Sequence, residues 1–216
     1  MSQPAGSWPG EFSCELSDAD RAAGNAFHCN INGSELLEVA SALKSSGMLA
    51  AGYKSVNIVR GPRPAVRHAR ADRRCWQDDC WPLRERDASG NIVADPAKFP
   101  NGMGGFSKSL KALGVGLGIY TAHGNLTCQR FPGSFGYETQ DAALYKEWGV
   151  IFVKNDWCWR KEENQTKHLD AFNAMRDALN GTGVPMVHSI HWNYDDTPGP
   201  GCPRGKDCPL PLTSNM

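Results

Sequence analysis

The sequence predicts an α/β protein built from parallel βαβ units. Short apolar runs alternate with segments of helical periodicity, the runs are continuous rather than alternating, and most of the helices between them are long enough to cross back over a sheet. Continuous apolar runs are what strands buried on both faces require. Taken in order, Ser34 can cap a helix in which Leu36, Leu37, Val39, Ala40 and Leu43 recur at helical spacing as far as Gly47. "YKSVNI" (53–58) reads as a strand, residues 103–113 as a helix and "VGLGIYTA" (115–122) as a second strand. A helix at 137–149 leads into the strand opened by Val150, Ile151, Phe152 and Val153; a further helix (164–183) and strand (184–190) follow. The glycines of "GVGLG" read as sites of tight packing. Periodicity alone does not separate a (β/α)8 barrel from a doubly wound sheet, although no G-x-G-x-x-G opens a helix after a strand.

At 216 residues the chain is one domain or part of a larger protein. Its 23 basic and 23 acidic residues give no global field that would attract nucleic acid or a membrane surface. No run approaches the roughly 18 apolar residues of a membrane-spanning helix. Eight cysteines without the repeated C-x-x-C of a zinc module, together with sequons at Asn32, Asn125, Asn164 and Asn180, favour a secreted, disulfide-bonded glycoprotein. Residues 1–20 nevertheless show no basic segment followed by an apolar one, so no signal peptide is visible there.

In parallel α/β architectures the active site lies at the carboxyl ends of the strands, where this chain gathers its reactive side chains. "CWQDDCW" (75–81) follows the first strand after an interruption. Tyr120, His123 and Cys128 follow the second, Lys154, Asp156, Trp157 and Cys158 the third, and Ser189, His191, Trp192 and Tyr194 the fourth. Lys154 and Asp156 are two apart on a strand, so they share a side and Asn155 faces away. A neighbouring ammonium would keep Asp156 ionised as a nucleophile or electrostatic stabiliser; a structural ion pair is the competing reading. Asp78 and Asp79, flanked by Trp76 and Trp81, suit a sugar, the acids accepting from hydroxyls and the indoles covering the ring. Asp78, Asp79, Asp156 and His123 as metal ligands are the alternative. Cys80 and Cys158 each read as belonging to a disulfide that braces these loops rather than as nucleophiles.

The ordered series "NAFHCNI", "DDCW", "FPNGM", "LGIYTAHGNLTC", "FPGSFGYETQDAALYKEWGV", "VKNDWCW" and "AMRDALNGTG" resembles the retaining α-galactosidases of glycoside hydrolase family twenty-seven, the melibiases. The resemblance runs from about Asn25 onward. It implies a (β/α)8 catalytic barrel and a following β domain, action on terminal α-linked galactose, no cofactor or metal, and α-galactoside oligosaccharides or glycoconjugates as partners. It also implies a secreted location. Asp156 resembles the catalytic nucleophile, while Asp78, Asp79, Tyr120, Lys154 and Trp192 resemble groups that hold the sugar. Cys29 would pair with Cys80 and Cys128 with Cys158, and Cys202 and Cys208 enclose a short loop and are expected to pair. The implied mechanism uses two carboxyl groups roughly 5 Å apart, one attacking C1 and the other serving as acid and then base.

The chain also departs from that pattern. Ala22-Ala23-Gly24-Asn25 stands where the family carries Gly-Trp-Asn-Ser-Trp-Asn, and Ile190-His191-Trp192 where it carries Cys-Glu-Trp. The histidine opens two related specificities, β-L-arabinopyranosidase and α-N-acetylgalactosaminidase. Val59–Gln77, arginine-rich and without period, separates the strand from "DDCW" and reads as an intron carried in frame. The resemblance places the acid/base aspartate and about three further βα units beyond Met216. Residues 1–24 are thus expected to be an atypical segment and 25–216 a partial catalytic domain with an insert at 59–77, about five βα units of an incomplete barrel. Such a chain is expected to be inactive or feeble, or to act as a non-catalytic galactose-binding fragment.

Overall fold

The computed structural model describes residues 31–58, 80–158 and 165–191. Helix α1 (Gly33–Ser45) is capped two residues earlier than the sequence suggests. Asn32 is the N-cap, its Oδ1 accepting the Glu35 N–H at 3.1 Å, and the Ser34 hydroxyl donates to that same oxygen at 2.9 Å. An amide oxygen at N-cap reaches the third helical N–H without competing for its own proton, so asparagine takes the position and serine supports it. The helix buries Leu36, Ala40 and Leu43 and ends before Gly47, which sits at φ 81°.

Strand β1 (Ser55–Asn57) is shorter than its apolar run, and Tyr53 ahead of it is exposed. Helix α2 (Gly102–Ala112) packs through Met103, Phe106 and Leu110 and leads into β2 (Gly116–Ala122), buried along all but its first residue. Helix α3 (Glu138–Trp148) stops at Gly149 in the left-handed region, and β3 (Val150–Asp156) begins at once. Helix α4 (Gln165–Gly181) covers the sheet with Ala171, Phe172, Met175 and Leu179 and precedes β4 (Val187–Ile190).

The four strands among the described residues pair in parallel in the order β1-β2-β3-β4. Chain order and spatial order coincide, with none of the reversal that defines a doubly wound sheet, and this agrees with a portion of an α/β barrel. The atypical segment 1–24 and the insert at 59–77 lie outside the described residues. Close approach explains the glycines in β2. A Cβ on Gly118 would run into Asn57 Oδ1 of β1, and one on Gly116 into the Ile151 side chain of β3. The register sets Tyr120 beside Lys154 and Ala122 beside Asp156, with Asn155 beside Ile190, so three strand ends finish level.

Candidate active site

Asp156 closes β3 and is 1% exposed. Its Oδ2 accepts the Tyr120 hydroxyl at 2.6 Å from β2, and Lys154 Nζ stands 3.9 Å from the same oxygen. Its Oδ1 accepts the Trp157 N–H at 2.8 Å and His191 Nδ1 at 2.6 Å from just beyond β4. Burial alone would push this carboxyl group's pKa up. The His191 hydrogen bond, the Lys154 charge and the Tyr120 hydrogen bond outweigh it and hold the pKa well below the ordinary carboxylate range. The strand pattern therefore delivers an ionised, immobilised carboxylate. Its ionisation rests on three strand ends together, and the Lys154 ammonium is the loosest of the contacts.

The main chain around Asp156 is held as firmly. His123 donates both its backbone N–H, at 3.1 Å, and its Nδ1–H, at 3.0 Å, to the Asp156 carbonyl oxygen. The acceptor is a carbonyl, so the proton is on Nδ1. The ring is buried, stacked on Phe172 with centroids 4.6 Å apart and tilted against Trp157 at 5.0 Å. His123, weighed from the sequence as a metal ligand, is thus a clamp on the strand end. Cys128 and Cys158 form the expected disulfide, with Cα atoms 5.1 Å apart. Their sulfurs lie near the Asp156 carboxylate, all within 4.8 Å, but a disulfide supplies no thiolate to a metal.

Cys80 is disulfide-bonded as well. Cys29, expected opposite it, lies outside the described residues, as do Asp78, Asp79, Trp192, Cys202 and Cys208. The structure brings together Asp156, Tyr120, Lys154, Cys128 and Cys158 from the expected set. Trp81 is not the exposed aromatic face the sequence suggested. It is 1% exposed, packs edge-on against Trp148 and donates its indole N–H to the Tyr120 carbonyl at 3.0 Å. Its contribution is to hold β2 through the Tyr120 carbonyl.

The sequence places His191 in the strand-end cluster and at a substituted position, but does not join it to Asp156. A feature that the sequence does not announce at all is a buried polar network under the loop after β2. Arg86 makes a bidentate pair with Asp141 at 2.6 and 2.7 Å and also donates to the Gly133 carbonyl. Ser134 donates to Asp141 at 2.7 Å and receives the Thr121 hydroxyl at 2.6 Å. The network ties β2, α3 and the loop bearing Cys128, and no local motif announces a pair 55 residues apart.

Residues 8–199 match the family described as Alpha galactosidase A, Melibiase_2. A probable alpha-galactosidase of Dictyostelium discoideum is 40% identical over 173 residues, covering 80% of this chain and 39% of that protein. An alpha-N-acetylgalactosaminidase of Gallus gallus is 33% identical over 177 residues, covering 77% of this chain and 38% of that protein. Among solved structures, alpha-galactosidase I from Mortierella vinacea superposes with a TM-score of 0.67 at 34% identity, covering 82% of this chain and 40% of its own. The alpha-galactosidase of Saccharomyces cerevisiae solved with raffinose gives 0.65 at 32% identity, covering 77% and 33%. The chain thus spans well under half the length of the relatives it matches.

Proposed function

The chain belongs to the alpha-galactosidase family of the melibiase type, and we propose from that membership that it carries the nucleophile side of a retaining α-galactosidase site. Asp156 attacks the anomeric carbon, while Tyr120 and Lys154, with Asp78, Asp79 and Trp192, hold the galactose hydroxyls. The observation that supports this most directly is the state of Asp156. It is a buried carboxylate kept ionised by donors from two neighbouring strand ends, at the carboxyl side of a parallel sheet. No residue of this chain is assigned as the acid/base. In this reading residues 25–216 are catalytic-domain sequence, and the protein acts on α-galactosides in a secreted setting. Exposed sequon residues Asn125 and Asn180 are consistent with glycosylation there.

The test is covalent trapping. An activated, fluorinated α-galactosyl fluoride expels fluoride, which needs little protonation, so labelling reports on the nucleophile without the acid. Intact mass spectrometry of the purified chain should show one added glycosyl group, mapped to Asp156 and absent in Asp156→Asn. No adduct on the wild-type chain, with galactose still binding by calorimetry, would establish instead a sugar-binding protein. His191, which stands where the family carries a glutamate, favours one second reading: a preference for N-acetylgalactosamine or L-arabinopyranose. Parallel labelling with those glycosyl fluorides would expose it.

A further inference from the structure

The hydrogen bonds on the Asp156 carboxylate are unevenly shared between its two oxygens, and the imbalance assigns them different work. A carboxylate oxygen has two in-plane lone pairs. At Oδ1 both are occupied, by the Trp157 N–H at 2.8 Å and His191 Nδ1 at 2.6 Å. Oδ2 accepts one hydrogen bond, from Tyr120 at 2.6 Å, and the Lys154 ammonium at 3.9 Å is beyond hydrogen-bonding distance. We infer that His191 is a positioning residue for Asp156: with the Trp157 amide it saturates Oδ1, so that Oδ2 is the oxygen that bonds to the sugar.

This rests on the nucleophile reading above and adds to it the attacking atom and the residue that selects it. An ionised carboxylate cannot donate, so the shared proton belongs to His191 Nδ1. The ring is placed by its own backbone, whose N–H donates to the Asn155 carbonyl at 3.0 Å, and it remains more than half exposed. In the reaction an Oδ2 lone pair forms the bond to the anomeric carbon. The carbon–leaving-group bond breaks, and the leaving group departs with the electron pair, as fluoride from a glycosyl fluoride. Oδ1 then becomes the ester carbonyl oxygen, still a good acceptor for both N–H groups. Oδ2 becomes an ester oxygen, a poor acceptor, so the Tyr120 bond is the one surrendered. The His191 contact persists through the covalent state and fixes the carboxylate's rotation throughout.

Two measurements decide this independently. The first uses the 15N-histidine chain at neutral pH, with the His191 signals identified by their loss in His191→Gln. They should show a proton on Nδ1, in a pattern that Asp156→Asn changes; a neutral ring protonated only at Nε2 overturns the inference. This reading requires no catalysis, so it stands even if the wild-type chain is never labelled and the function proposal falls. The second is the labelling rate with the fluorinated α-galactosyl fluoride. Asparagine places its amide nitrogen where Nδ1 stood and glutamine does not, so His191→Asn should label within about threefold of wild type. His191→Ala and His191→Gln should be at least about tenfold slower, as loss of a charge-assisted hydrogen bond entails. Equal rates in wild type and His191→Ala, or a crystal structure of the adduct with the sugar on Oδ1, would also overturn it.

Discussion

Asp156 couples ionisation to stability in a direction that can be measured. Its folded-state pKa is depressed below the ordinary value of about 3.9. A carboxyl group of this kind contributes stability that is fully present above its unfolded pKa and is lost as pH falls toward its folded one. Asp156→Asn cannot ionise and lacks that contribution. The difference in unfolding free energy, wild type minus variant, should therefore fall steadily between about pH 5 and pH 2 in urea titrations. A difference constant over that window would show that the carboxylate is not preferentially ionised in the native state. The same residues show what sequence can and cannot reveal at this scale. Lys154 and Asp156 were legible because strand periodicity of two puts them on one side. Trp81 was misread because an indole beside acidic residues looks the same in sequence whether its ring lines a sugar site or, as here, packs on Trp148. His191 was visible as a strand-end residue, but its 2.6 Å bond to Asp156 depends on the parallel register of β3 and β4, which no local pattern encodes.

Elements are more readable than their connections. Each described helix and strand was anticipated to within a few residues, because buried faces impose a period on the sequence. The loop after β2 is different: its shape comes from Arg86 and Asp141, which reach it from separate parts of the chain. Asp141 is fully buried and Arg86 nearly so, and the bidentate pair also fixes the Gly133 carbonyl beneath that loop. Arg86→Met would leave the carboxylate buried with the Ser134 hydroxyl as its remaining side-chain donor among the described contacts. Removing one partner of a buried pair costs about 3–5 kcal/mol, chiefly through the stranded charge, whereas replacing both partners by apolar groups is often close to neutral. Arg86→Met should accordingly destabilise by about that amount in chemical denaturation, and the double variant Arg86→Met/Asp141→Leu should recover most of it. A single-variant cost below about 1 kcal/mol would mean that the pair is solvated and does not organise the loop.

At the scale of the molecule, one core cluster joins the layers among the described residues. Leu36 of α1, Val56 of β1, Met103 of α2, Leu117 of β2, Tyr145 of α3, Val153 of β3 and Met175 of α4 all belong to it. A contiguous core of this kind should melt as one unit, with the site's cross-link adding to its stability without dividing it. Cys128–Cys158 spans 30 residues of sequence, and closing a loop of that length restricts the unfolded chain by about 3–4 kcal/mol in the chain-entropy account. For a chain of about 200 residues that corresponds to a fall in melting temperature of roughly 10 °C when the cross-link is removed. The appropriate variant is Cys128→Ser/Cys158→Ser, because a reductant would also break the disulfide at Cys80. Far-UV circular dichroism follows the helices, while tryptophan fluorescence follows indoles such as Trp81 and Trp148 within the packed layers. In wild type and variant alike the two signals should change together, with the variant's common midpoint displaced downward. If the fluorescence transition of the variant separated from the dichroic one, the strand ends that carry Asp156 would be a subunit of stability distinct from the sheet, and the cross-link would be holding the site in place rather than the fold.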